Sequence, residues 1–361
     1  MQDEKKNLYV LAALATLLLV FYPDLFLAKS ASLAGDHLVQ HYPWAQLLAN
    51  RSKHFELPFW TPLIHCGFPI AAEGQIGVFY LPNLILFLLL PFRWAYSYLN
   101  LFHFLLSGYG TYLYARQMKL SFLAAFVSAF IFLFGTAYGG AYYNITSLKT
   151  ISWFPLTLYL FERFLEVSKW RYLFFLSLTI SSALLAGYLQ VAVYVIGIFF
   201  LYAGLRIFIF HGDRKVNLPQ TGWRTFGLSV ATLLGFLIAL PQVLLTFELA
   251  IRSNRLAPSE EYAYVGSMFP FALSTLVYPL AQGLFRGNSI YSGVFSVLLI
   301  LFGIYSKETR EKNAFRIWIV MGFLSLFLAL GEWSPFYIGL IKLTKFYSFR
   351  TPAKFLVFIC F

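Results

Sequence analysis

Long apolar runs set the first constraint on what this chain can fold into. Stretches rich in Phe, Leu and Tyr recur at 8–27, 94–115, 122–139, 151–167, 171–187, 189–209, 227–247, 290–305, 316–331 and from 353 onward. A hydrocarbon core about 30 Å thick takes roughly 20 apolar residues of helix. In lipid, only helices and closed barrels satisfy every backbone group. The runs are continuous and lack the alternation that barrel strands require. They predict an all-α fold, a polytopic transmembrane helix bundle of about ten spans. Composition points the same way: of 361 residues, 60% are hydrophobic and 20% aromatic, while the 12% that are charged are few for a water-facing surface.

Charge orients the expected bundle. The run Phe79–Phe92, bounded by Pro82 and Pro91, is short for a span and reads as an interfacial or re-entrant helix. Leaving it outside the bilayer places Lys5, Lys6, Arg116, Lys119, Arg163, Lys169, Arg171, the stretch Arg206 to Arg224 and Lys307 to Arg316 on one side. By the positive-inside rule that side is cytoplasmic. The expectation is a single transmembrane domain over 1–361 in a plasma membrane, multi-pass, with its N-terminus cytoplasmic. A large first extracytoplasmic loop spans 28–93, with further outer loops at 248–289 and 332–352. Leu8–Phe26 lacks a small-residue cleavage site and reads as an uncleaved span. The last span is unfinished at Phe361, which predicts a longer parent chain. The net charge of +12 suits a membrane surface and not nucleic acid, because no basic run is interleaved for backbone tracking. Cys66 and Cys360 have no metal-ligand spacing.

Candidate chemistry gathers in the first outer loop. His37, His41, His54 and His65 all lie there, with Trp44, Trp60 and a run of Gly and Pro. A loop this long and titratable is more than a connector. Asp36 either caps the helical pattern HLVQHYPWAQLLA or serves as a general base, and the roles are compatible. His37 and His41 share a helix face at i, i+4, as a metal pair or as interfacial histidines. Glu73, in AAEGQIG, binds a polar ligand or metal or is a solvated loop acid. Arg252, Arg255, Lys342, Lys345, Arg350 and Lys354 are outer cations, either snorkelling anchors or phosphate ligands. His103 is the clearest ionisable residue inside a span.

A series of short motifs runs in order along nearly the whole chain: GD (Gly35–Asp36), FWTP (Phe59–Pro62), GFP (Gly67–Pro69), EGQIGVFYLPN (Glu73–Asn83), SWFPL (Ser152–Leu156), GYLQ (Gly187–Gln190), SNR (Ser253–Arg255) and RTPAKF (Arg350–Phe355). Together they resemble the bacterial YfhO-like membrane protein family. The resemblance implies a glycosyltransferase of GT-C architecture, inverting, that takes its sugar from a polyprenyl-phosphate donor in the outer leaflet. The acceptor it implies is an envelope glycopolymer or lipid-linked saccharide. Asp36 would be the catalytic base, with Glu73, Gln75 and His37 on the substrate and Arg255 and Arg350 on the donor phosphate. Asp36 lacks the acidic neighbour of a paired motif, so no cofactor is certain and a divalent cation, Mg or Mn, stays an open expectation. A lipid-linked sugar flippase and a non-catalytic envelope scaffold are the competing classes, membrane lipids being partners in each.

Overall fold

A computed structural model describes residues 2–28, 36–135, 144–209, 218–253, 258–278, 291–310, 312–345, 347–359 and 361. Over these residues the chain is helical, with one isolated bridge in which Thr61 and Phe68 exchange backbone hydrogen bonds of 2.9 and 2.8 Å. The principal helices are α1 (Gln2–Phe21), α2 (Tyr42–Ser52), α3 (Leu81–Leu89), α4 (Phe92–Gln117), α5 (Phe122–Phe134), α6 (Ile145–Ile151), α7 (Phe154–Val167), α8 (Trp170–Leu185), α9 (Leu189–Gly204), α10 (Leu218–Ile251), α11 (Val294–Tyr305), α12 (Asn313–Ala329) and α13 (Pro335–Thr344). They fall on the apolar runs of the sequence, so the all-α expectation stands.

The expected bundle of about ten spans does not. Among the described residues two helical segments are long and apolar enough to cross a membrane, Leu189–Ile209 and Gln220–Ile251. The other apolar helices, Asn7–Phe21, Phe122–Phe134, Trp170–Leu185, Val294–Tyr305 and Asn313–Ala329, have 10–17 residues. The physical reason is that the runs are not single helices of bilayer length. The run at 151–167 is divided, α6 ending at Ile151 and α7 starting at Phe154 with Pro155 in its first turn, and the run from 353 begins as the 3₁₀ segment Pro352–Phe358. Helix α4 is long enough at 26 residues, but it carries Arg93, Asn100, His103 and Arg116. The multi-pass plasma-membrane placement and the GT-C-like architecture are corrected with it.

The chain divides into two compact units, one formed by Met1–Phe130, Ala141–Val195 and Gly227–Leu249, the other by Ile131–Gly140, Ile196–Phe226 and Ala250–Phe361. Within the first, α4 is the central element, packing against α1, α3, α6 and α7. Gly110 lets α7 approach closely, since a Cβ there would lie 3.0 Å from the Leu156 nitrogen and 3.2 Å from the Pro155 Cβ. The segment expected to be an outer loop supplies core: Leu48, Ala49, Ile70, Ala71, Ile76, Val78 and Phe87 are buried with Ala95, Tyr96 and Leu99 of α4 and Ile145 of α6. Asn144 caps α6, its Oδ1 accepting from the Ser147 backbone N–H at 3.0 Å.

In the second unit, α12 packs on the 3₁₀ segment Pro352–Phe358. The turn at Val265–Gly266 and the segment after it are held by two backbone bonds: Thr351 N–H donates to the Val265 carbonyl at 2.6 Å, and Met268 N–H donates to the Ala329 carbonyl at 2.9 Å. Gly266 has φ +78, and a Cβ there would sit 3.0 Å from the Thr351 Cα, so both space and backbone conformation select glycine.

Two glycines of α10 give a matched test. A Cβ at Gly235 would lie 2.9 Å from the Ile180 Cγ2 and 3.0 Å from the Ser177 carbonyl oxygen, whereas nothing lies within 4 Å of one at Gly222. Gly222→Ala is expected to stabilise by up to about 1 kcal/mol through helix propensity. Gly235→Ala is expected to lose about 1 kcal/mol or more through overpacking. Thermal midpoints of the two variants against the parent check the opposite signs.

Candidate functional site

The turn Glu73–Gly77 is built around glycines. Gly74 has φ +86 and Gly77 φ +67, and a Cβ at Gly77 would lie 2.6 Å from the Asn83 Nδ2. Asn83 holds the turn by donating through Nδ2 to the carbonyls of Ile76 at 3.1 Å and Gly77 at 3.0 Å. Glu73 folds over it, Oε2 accepting from the Gln75 backbone N–H at 2.9 Å and Oε1 from the Gln75 Nε2 at 2.6 Å. Gln75 Oε1 in turn accepts from Gln40 Nε2 at 3.2 Å. Behind the turn, Gln242 of α10 donates to the Ala71 carbonyl at 2.8 Å.

Two buried histidines brace the surroundings, and their partners fix their tautomers. The Ile145 backbone N–H donates to His37 Nε2 at 3.1 Å, so Nδ1 carries the proton and donates to the Tyr96 hydroxyl, also at 3.1 Å. His103 Nδ1 donates to the Leu99 carbonyl at 2.5 Å, so Nε2 accepts from the Tyr80 hydroxyl at 2.6 Å. Tyr80 accepts in turn from the Trp153 indole N–H at 2.8 Å. Burial holds the His103 imidazole neutral, down to about 3, partly offset by its hydrogen bond to Leu99.

A small, partly open recess of about 10 Å³, room for about one water, lies among these groups, lined by His41, Ala45, Gln75, Ile76, Asn83, Phe87, Tyr96, Leu99, Ile145 and Lys149. Lys149 comes from α6, where Asn144 starts the helix and every residue from Ile145 to Ile151 is buried, so its side chain enters the core; it is 4% exposed. Its Nζ lies 5.7 Å from the centre of the Tyr80 ring. That face offers a cation weak attraction. No carboxylate of the described residues pairs with it, and burial pushes the ammonium from its ordinary 10.5 down to about 7. His41 is likewise buried, with neither ring nitrogen hydrogen-bonded among the described residues. Burial, followed by the charges of His37 and Lys149, lowers it from 6.5 to about 3. Asn83 Oδ1 is buried without a partner.

The sequence-derived candidates are distributed unevenly around this recess. Gln75 lines it and Glu73 holds Gln75 from behind. His37 is buried with both nitrogens engaged, which makes it a brace between α4 and α6. Asp36 directly precedes the π-helical turn His37–His41, is exposed, and makes no side-chain capping bond. Arg350 belongs to the second unit, its guanidinium 5.7 Å from the centre of the Tyr262 ring. Arg255 and Cys360 lie outside the described residues. Among the described residues no group of three or more His, Cys, Asp or Glu is placed to hold a metal ion, so Mg or Mn has no ligand set there. Lys149 was not evident from the sequence; its signal was a lone lysine in TSLKTIS directly after a capping asparagine.

No family model, no curated protein and no solved structure matches the chain. The family resemblance therefore rests on its motifs alone. The polyprenyl-phosphate-sugar transferase and the lipid-linked flippase both require a polytopic bundle, and two helices of spanning length among the described residues, in place of about ten, overturn both.

The buried titrating groups imply a pH profile. His41 and His103 have folded values near 3 against 6.5 unfolded, and Lys149 has about 7 against 10.5. Between each pair of values the unfolded chain binds more protons, so stability rises with pH. The expected outcome is a thermal midpoint that climbs from pH 3 to 6.5 and again from 7 to 10.5. Lys149→Met should flatten the second climb without abolishing it, because Lys354 is also lowered to about 7, by burial and by Arg350.

Proposed function

We propose that Lys149, reached from the open side of the recess, is the counter-ion for a small anionic group, a carboxylate or a phosphate. The observation that carries this reading is a buried lysine with no carboxylate partner among the described residues, lining a recess shared with His41, Gln75 and Asn83. An unpaired buried charge is costly, and removing the partner of a buried ion pair typically costs about 3–5 kcal/mol. A ligand oxyanion supplies the missing partner. It would also draw the lysine back toward its charged form, since an opposite charge nearby favours ionisation. The neutral fraction of Lys149 near pH 7 further equips the recess for proton transfer to or from a bound group.

Isothermal titration with acetate and with phosphate tests the reading and distinguishes the two groups. Binding of at least one is expected near neutral pH and should weaken as pH rises, because Lys149 must be protonated to hold the anion. Lys149→Met should weaken it about tenfold or more, the equivalent of roughly 1.4 kcal/mol. Equal affinity in the parent and in a folded Lys149→Met protein contradicts the assignment.

A further inference from the structure

Helix α10 turns its small residues inward and its large ones out. Gly227, Ala231, Gly235 and Ala239 recur at every fourth position and share one face of the helix. Ala231 and Ala239 are fully buried. A Cβ at Gly227 would lie 2.6 Å from the Phe164 Cζ, and one at Gly235 would lie 2.9 Å from the Ile180 Cγ2. The backbone is thus seated on α7 and α8 too closely for the helix to rotate.

The opposite face carries Val230, Leu233, Leu237, Leu240, Leu244 and Phe247, spaced alternately three and four residues apart as in a helix–helix seam. The last five are between 39% and 61% exposed, and Leu234 and Phe236 border them, also exposed. Single exposed leucines are ordinary, but a contiguous apolar patch beyond a few hundred Å² marks an interaction site. At about 100 Å² for each exposed side chain, this patch approaches 700 Å². Residues 225–247 contain no charged side chain, and interface cores are depleted of charge in the same way.

We infer that this face of α10 is an interface between two copies of the chain, the stripe of one seated against the same stripe of the other. Two arguments select a second copy as the occupant. Ridges at three- and four-residue spacing interlock with grooves of the same kind, so the stripe is complementary to itself about a two-fold axis. The area fits as well, because two such patches bury about 1,400 Å², within the roughly 1,200–2,000 Å² of a stable, specific interface. Pro241 removes one helix hydrogen bond within the stripe but leaves its spacing intact.

Light scattering of the full chain across a concentration series tests the inference. The parent should pass from monomer to dimer as concentration rises. Leu237→Lys combined with Leu244→Lys puts two ammonium groups into the seam and should weaken self-association about tenfold or more, with the helical circular dichroism unchanged. Leu63→Lys, at a position 78% exposed outside α10, should associate as the parent does. A parent that stays monomeric throughout overturns the inference, as does a folded double variant that associates like the parent. Equal loss in Leu63→Lys overturns the assignment to α10. If the parent stays monomeric and instead floats with neutral phosphatidylcholine vesicles, hydrocarbon covers the face and the inference falls. Should the double variant not fold, Leu244→Gln, a single polar change at an exposed position, carries the same comparison.

Discussion

The hydrogen-bonded run from the Trp153 indole through the Tyr80 hydroxyl to His103 joins three segments far apart in sequence. Its direction is set at the far end, where the Leu99 carbonyl can only accept and so forces the His103 proton onto Nδ1. Every group in the run has a partner with His103 neutral, which is the state that burial also favours. The consequence reaches the site. With its hydroxyl held on both sides, the Tyr80 ring is fixed beneath the Lys149 ammonium, 5.7 Å away. His37 performs the parallel service on the opposite flank, joining Tyr96 of α4 to the start of α6. The recess therefore sits beside two satisfied polar braces, and His41 and Asn83 Oδ1 in its lining are left without a partner among the described residues.

That contrast separates the structural from the functional in a chain where both are histidine, tyrosine and lysine. A buried polar side chain with all its partners stabilises and orders the core. One with none is costly and persists where something offsets the cost. His37 and His103 belong to the first kind; His41 belongs to the second, and Lys149 is buried with no carboxylate partner among the described residues. Position in sequence does not distinguish them, since His37 and His41 are a single helical turn apart.

Much of the helix content was legible, because Leu- and Phe-rich runs bounded by Pro, Gly or Asn mark helices in any apolar environment. Glu73 and its neighbouring glycines were legible as a candidate segment, and the structure turns them around Gln75 and Ile76 beside Asn83. Span number was not. Helix α10 leaves Leu233, Phe236, Leu237, Leu244 and Phe247 exposed, while α7 and α8 bury most of their apolar residues against neighbours. Apolar content alone does not show which residues a helix buries; packing decides it. Lys149 was illegible for a related reason. A cation near a helix start reads as solvated until the tertiary structure shows α6 sunk against α4 and α8. Conversely, Asp36 drew attention as a loop carboxylate at a helix start, yet it makes no capping bond and is exposed.

The account depends most on the state of one amine. Selective labelling of lysine side chains and an NMR titration of the Lys149 Cε resonance, assigned through Lys149→Met, measures it directly. The lysine should titrate near 7 in the free protein and move upward when the protein is saturated with a carboxylate that binds the recess. A Lys149 that titrates at its ordinary 10.5, with or without the carboxylate, would contradict both its burial without a counter-ion and its role as the anion's partner.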